Sequence, residues 1–213
     1  MIGVLDLQGD VVEHLDHLDR LGLAARRVKE AGDLENLAGL ILPGGESTCI
    51  ARLMAEAGLD REIREAFQGG LKLWGTCAGA ILLATTVKGE RPHLGLVEMV
   101  VERNSFGSQL DSFVTQAVVP AISPEPLELV FIRAPKILEV GRGVRVLLSL
   151  EDYIAAAETD GALVTVFHPE LTPSAAFHAY FAAKCGVPLP SETSRTIGGW
   201  SGTSWTRYSS LRR

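Results

Sequence analysis

Cys77 stands in Leu71-Lys-Leu-Trp-Gly-Thr-Cys-Ala-Gly-Ala-Ile81, an apolar run followed by a thiol flanked by Gly75 and Gly79 and then by a helix-forming run. That order reads as strand, tight turn and helix with a nucleophile at the apex, because small neighbours tolerate the strained backbone that lifts a side chain above a sheet edge. A free cysteine is mostly protonated near neutrality, its reference pKa being about 8.5. It therefore needs a base. Of the five histidines, His168 is the best placed, since it follows the apolar run Leu163–Phe167 and so projects from the same edge of a sheet. In His168-Pro169-Glu170 the proline biases His168 towards extended backbone, where residues two apart point the same way. Glu170 can then accept from one imidazole nitrogen while the other faces Cys77, the orienter–base–nucleophile logic of a triad. A second reading stays open for this pair: His168 ends a strand and Glu170 caps the helix after Pro173. His14 and His17 fall on the first helix, where exposed or half-buried positions are the default, and His93 and His178 read as structural.

Negative charge on a tetrahedral intermediate needs N–H donors. The turn at Cys77 offers the backbone N–H of Ala78, and the side-chain-free loop Gly44-Gly45 offers a second. A loop that only turns into a helix, or one that holds a phosphate, would carry the same glycines. Cys77 alone could equally be a small buried hydrophobe. All three features, however, fall at the carboxyl ends of expected strands, where open α/β sheets bind ligands.

The elements that position them begin with Ile2–Leu7, a buried strand, followed by a helix over Val11–Leu21 with Asp10 as its N-cap and Gly22 as its stop. Strands at Ala24–Val28 and Leu37–Leu42, helices over Thr48–Ala57 and Leu59–Phe67, a strand at Leu71–Trp74 and a helix over Ala78–Thr86 complete a doubly wound unit with parallel pairing. Short apolar or alternating runs at Leu96–Arg103, Phe113–Val119, Glu128–Ile132, Ile137–Val140, Arg145–Leu150, Tyr153–Ala157 and Leu163–Phe167 read as antiparallel additions. A last helix spans Ala175–Cys185. The expected fold is thus α/β, three-layered and doubly wound, with a flavodoxin-like mixed sheet and antiparallel additions. Residues 1–190 are read as one domain and 191–213 as a Ser/Thr/Gly-rich tail with Trp200 and Trp205.

The chain has 213 residues, 46% of them hydrophobic, enough for one well-buried core. A net charge of −6 gives no general attraction to nucleic acid or anionic membrane, so a small molecule or a protein partner is the better expectation. Cys49, Cys77 and Cys185 are odd in number and unpatterned, which suits a reducing compartment and suggests no zinc site. With neither a leader-like segment at Ile2–Leu7 nor an apolar run of membrane-spanning length, the expected location is cytoplasmic.

Gly75-Thr-Cys-Ala-Gly79 together with His168-Pro-Glu170 resembles the class I glutamine amidotransferases. More narrowly, Leu42-Pro-Gly-Gly-Glu-Ser-Thr48, Arg103-Asn-Ser-Phe-Gly107, Phe131-Ile-Arg-Ala-Pro135 and His168-Pro-Glu-Leu-Thr172 resemble the glutaminase subunits of pyridoxal 5′-phosphate synthase, with Leu7-Gln-Gly9 and Pro92-His-Leu-Gly-Leu96 in agreement. The resemblance runs from Ile2 to about Cys185. It implies that Cys77 attacks the side-chain amide of L-glutamine, that His168 relays protons and Glu170 orients it, and that Gly45 and Ala78 form the oxyanion hole. It implies glutamine contacts at Gly45, Glu46, Ser47, Arg103, Ile132 and Arg133, and ammonia delivery to a partner synthase subunit making pyridoxal 5′-phosphate (vitamin B6). No cofactor and no metal are implied on this chain. The first helix and the loop near Gln8 are candidates for the docking face. Ser108 departs from the basic residue common after Phe-Gly in the family, and the stretch from about Glu192 matches none of its motifs. Another cysteine hydrolase of this architecture, a γ-glutamyl hydrolase or a peptidase, is the rival reading; the related peptidase-like families often carry histidine where this chain has Ala78. A non-enzymatic interaction subunit would not need Cys77, His168 and Glu170 all intact.

Overall fold

A computed structural model of the chain describes residues 1–103 and 112–190. Four short strands, β1 (Ile2–Leu5), β2 (Ala25–Val28), β3 (Gly39–Leu42) and β4 (Lys72–Thr76), alternate with helices α1 (Val11–Arg20), α2 (Ser47–Glu56) and α3 (Leu59–Gln68). Helix α4 (Ala78–Leu83) follows β4, and β5 (Ala84–Val87) follows α4 directly. Then come β6 (Val97–Glu102), β7 (Ser112–Val119), β8 (Ser123–Ile132), β9 (Lys136–Val140), β10 (Arg145–Leu150), β11 (Tyr153–Glu158), β12 (Ala162–Thr165) and α5 (Ala176–Lys184).

The main sheet has ten strands in the order β2-β1-β3-β4-β12-β11-β9-β6-β5, with β10 paired to β11. The first five are mutually parallel, whereas β11 pairs antiparallel with β12, β10 and β9, and β9 with β6. Every residue of β1, β3 and β12 is buried. Continuous apolar sequence of this kind belongs to parallel strands covered on both faces, where alternation has no use. The α/β reading therefore holds, with three revisions. The run Leu163–Phe167, expected among the antiparallel additions, contributes β12, which is the fifth parallel strand, beside β4. Strands β7 and β8 leave the sheet altogether and form their own antiparallel ribbon.

A third revision concerns α4. The helix expected to run to Thr86 stops at Leu83, and Ala84 turns to φ −65°, ψ 137°. Thr85, Thr86 and Val87 are consecutive β-branched residues, which crowd a helix and suit a strand, here paired in parallel with β6. The other helices end within two residues of expectation. Burial on α1 follows the helical repeat through Val11, His14 and Leu18. Across the other end of the sheet, Glu158 at the end of β11 binds Tyr180 and Lys184 of α5, at 3.0 Å each, and Arg145 of β10.

Candidate active site

The parallel order brings the functional segments together. Strands β1, β3, β4 and β12 are consecutive neighbours, so the residues just past their carboxyl ends form one row: Gln8–Asp10, Gly44–Gly45, Cys77 and His168. The first two segments flank the point where strand order reverses between β1 and β3, the usual ligand crevice of a 2-1-3-4-5 sheet. A cavity of about 430 Å³ opens there, and Cys77, His168, Gly45, Ala78, Arg103 and Arg133 are among its walls.

Cys77 has φ 45° and ψ −102°, a conformation that side chains other than glycine rarely adopt. The strain is held from several sides. The Cys77 N–H donates to Thr165 O at 2.9 Å, tying the elbow to β12. A Cβ on Gly79 would lie 2.0 Å from Leu42 O, and one on Gly75 would lie 2.5 Å from the Gly79 carbonyl carbon, so both glycines are required by close backbone approach. The Cys77 thiol is 7% exposed and its Sγ lies 3.9 Å from Ile132 O at the end of β8.

His168 sits three residues past β12, its N–H donating to Val130 O at 2.8 Å. Its Nδ1 is 2.7 Å from Glu170 Oε1. The route to that contact differs from the expected extended i, i+2 pair. Pro169–Leu171 forms a 3-10 turn with Pro169 in its first position, and this turn swings the Glu170 carboxylate back onto the ring. Cys77 and His168 line the same cavity. Burial by itself would depress His168. The negative charges of Cys77 and Glu170, with the Asp10 carboxylate beside the ring, outweigh it and hold the pKa well above the usual histidine value. Burial pushes Glu170 up, and the His168 charge partly offsets this.

Asp10 was expected only as an N-cap. It occupies that position but makes no capping side-chain bond. Its carboxylate turns instead to His168 Nδ1, 3.3 Å away. Two carboxylates thus share one imidazole nitrogen, the three groups lying within 4.8 Å of one another. No local sequence signal links positions 158 residues apart. The histidines are also corrected: His14 and His17 are 0% and 1% exposed rather than surface residues, and both pack with His178 behind Glu170.

Around the cavity, the Glu46 N–H donates to Gln8 Oε1 at 2.8 Å, which anchors the Gly44–Gly45 loop to the segment after β1. Gly45 has φ 153°, and a Cβ there would meet Gln8 Oε1 at 2.6 Å; one on Gly44 would meet His168 Cε1 at 2.4 Å. The loop must therefore be side-chain-free. Neither the Gly45 nor the Ala78 N–H has an acceptor among the described residues. The Glu46 carboxylate caps α2 by accepting from Cys49 N at 2.8 Å and also pairs with Arg103 at 2.9 Å. Arg103 is held on its other side by Glu90 at 2.7 Å. Ser47 is 2% exposed, and its Oγ has no partner among the described residues. Ile132 lines the wall beside Arg133, whose φ of 44° bends the chain just after β8. Of the Arg103–Gly107 motif only Arg103 is described; Ser108, Trp200 and Trp205 lie outside the described residues.

The model of the SNO glutamine amidotransferase family matches residues 4–187. The chain belongs to that family. It is 60% identical to the pyridoxal 5′-phosphate synthase subunit PdxT of Syntrophus aciditrophicus over 208 residues, covering 97% of this chain and 93% of the relative. That alignment extends well beyond Pro190, so the final stretch, which no family motif covers, does have a counterpart. The PdxT subunit of Clostridium beijerinckii is 49% identical over 84% of this chain and 95% of its own. Among solved structures, one described as a glutamine amidotransferase superposes with a TM-score of 0.82 at 45% identity, covering 87% of this chain and 99% of its own. PurLQS from Thermotoga maritima, at a TM-score of 0.64 and 16% identity over 85% of this chain and 97% of its own, shares the fold. No described helix is long and apolar enough to cross a membrane.

Proposed function

We propose that this chain hydrolyses L-glutamine to L-glutamate and ammonia through a thioester on Cys77, and passes the ammonia to a partner synthase subunit that makes pyridoxal 5′-phosphate. The observation that carries the chemistry is the group Cys77, His168 and Glu170: a strained thiol sharing one cavity with an imidazole whose Nδ1 is 2.7 Å from a buried carboxylate. Family membership and the PdxT relatives support the substrate and the partner.

The Cys77 thiolate adds to the carboxamide carbon of glutamine, and the carbonyl π electrons move to oxygen. Gly45 and Ala78 N–H groups stabilise that oxyanion, a contribution of about 2.7–4 kcal/mol per donor in comparable sites. The protonated His168 gives its proton to the amide nitrogen, the C–N bond breaks, and ammonia leaves. Water then adds to the thioester while His168 takes its proton, and collapse releases glutamate and the thiolate. Glu170 keeps the imidazole in the required orientation and stabilises its protonated form. Arg103 and Arg133 bind the glutamine α-carboxylate, with Glu46, Ser47 and Ile132 completing the glutamine site. Arg103 is already paired with Glu46 and Glu90, which holds its guanidinium in place for a carboxylate ligand. The reaction needs a reduced thiol, in keeping with a cytoplasmic location.

Glutamate release, assayed with and without the synthase subunit, tests the proposal. Cys77→Ala is expected to abolish it; unchanged release would remove Cys77 from the mechanism. A glutamine-like electrophile is expected to label Cys77. Cys185 is a poor competitor because burial pushes its thiol up to about 12. Labelling confined to Cys49 or Cys185 would refute the assignment.

A further inference from the structure

Of the four histidines unused by this chemistry, three are sealed behind Glu170. His14 and His17 come from α1 and His178 from α5, each at most 1% exposed. Burial, reinforced by their mutual repulsion, lowers the pKa of His14 and His178 well below the ordinary value; in His17, burial and the Arg20 charge lower it to about 4. The cluster is therefore neutral, and each ring has one N–H to place.

The contacts decide where those protons sit. His17 Nε2 is 3.2 Å from the Glu170 carbonyl oxygen, which can only accept, so His17 carries its proton on Nε2. His14 Nδ1 and His178 Nε2 are 2.9 Å apart, so one donates and the other accepts. His14 Nε2 faces Thr76 Oγ1 at 3.3 Å and Glu170 Oε2 at 3.6 Å. If His14 donated to His178, two penalties would follow. The proton of His178 would move to its Nδ1, which is buried without a partner. A lone pair of His14 would also point at the carboxylate. With the opposite polarity both disappear: His178 Nε2–H donates to His14 Nδ1, and His14 Nε2–H points at Thr76 and Glu170 Oε2. The unpartnered His17 and His178 Nδ1 atoms are then bare lone pairs, which cost less to bury than an unpaired N–H.

We propose that His14 is a positioning residue for the reaction above: its Nε2–H holds the second carboxylate oxygen of Glu170, and His178 fixes the tautomer that makes this possible. Glu170 Oε2 has no hydrogen bond among the described residues, and its other oxygen is committed to His168. The 3.6 Å contact is longer than a hydrogen bond and acts as a charge–dipole attraction. It restrains rotation of the carboxylate, so Oε1 stays on His168. Asp10 at the N-cap of α1 and His14 and His17 within it, spaced i, i+4 and i+7, thus all reach the 168–170 segment. Because the role of Glu170 comes from the glutaminase reading, this inference rests on that reading.

The test compares His14→Phe with His14→Gln in the complex with the synthase subunit. His14→Phe keeps an aromatic ring without a donor and is expected to lower kcat for glutamine hydrolysis about tenfold, with KM nearly unchanged, as a small misplacement of a catalytic group would. His14→Gln, whose side-chain amide N–H₂ reaches the same place, is expected to recover most of kcat. A His14→Phe enzyme within twofold of the parent kcat overturns the proposal, as do two variants equally impaired. Cys77→Ala measured alongside separates the failures: activity retained there sinks the glutaminase reading, whereas an inactive Cys77→Ala beside a fully active His14→Phe sinks only the role of His14. Should His14→Phe not fold, nitrogen NMR of the unmutated protein decides: Nε2–H tautomers at His14 and His178 uphold the proposal, and an Nδ1–H tautomer at His14 overturns it.

Discussion

Asp10 Oδ2 lies 3.3 Å from His168 Nδ1, on the same nitrogen that Glu170 holds at 2.7 Å. Both carboxylates favour the protonated imidazole. Asp10→Asn is therefore expected to bring the His168 pKa down towards the ordinary histidine value, because one of the contributions raising it disappears. The imidazolium would be lost at a lower pH, so the alkaline limb of the pH profile for glutamine hydrolysis moves to lower pH. Glu170→Gln should move it further. An unshifted limb in Asp10→Asn would show that the second carboxylate is electrostatically idle.

Strain at Cys77 gives an opposing pair of effects. A non-glycine residue at φ 45°, ψ −102° costs on the order of 1–3 kcal/mol, and glycine removes that cost. Cys77→Gly is expected to lose all glutaminase activity while melting at or above the temperature of the parent. A clear fall in Tm would mean that the elbow is not strained.

Glu158 offers a stability change separated from the chemistry. It pairs with Leu163 near the start of β12, whereas His168 follows that strand's other end. Replacing it with alanine strips charged partners from Arg145 and Lys184 and a hydrogen-bond acceptor from Tyr180. A loss of about 1–3 kcal/mol is expected in urea unfolding, with kcat per folded molecule unchanged.

Acid should loosen the fold through the buried histidines. In the unfolded chain His14, His17 and His178 titrate near 6.5, and in the folded chain well below it, His17 at about 4. Between those values the unfolded state binds more protons, so stability is fully present above the unfolded pKa and falls as pH drops below about 6.5. Each such histidine contributes a slope of about 1.4 kcal/mol per pH unit. Glu170, raised in the folded state, opposes part of this. His168, also raised, acts above 6.5 and leaves the acid window alone. Urea titrations from pH 7 to pH 4.5 should show the decline, and His178→Phe should shallow it.

Much of this was legible because it is local. An apolar run with both faces buried is apolar throughout, and the Gly-x-Cys-x-Gly turn declares its own backbone problem. What misled was equally local. Thr85-Thr86-Val87 follows a helix without a break, and only pairing with β6 makes it a strand. The run Leu163–Phe167 looks like its antiparallel neighbours, and its parallel partner β4 is about ninety residues earlier. Proline in His168-Pro169-Glu170 suggested extended chain, yet it starts a 3-10 turn, because both conformations share the φ that proline imposes.

Residue types and spacing alone settled the tight turn at Cys77, the α/β class and the family motifs, since each is written in local stretches of the chain. Tertiary structure decided the rest. Cys77 and His168 came to line one cavity because β4 and β12 lie side by side, Asp10 became a second partner of His168 instead of a cap, and three histidines expected to be exposed or merely structural became a buried wall behind Glu170. The physical reason is that burial and hydrogen-bond partnership are properties of the assembled sheet, and no periodicity along α1 encodes which side chains from residues 168–178 will close over it.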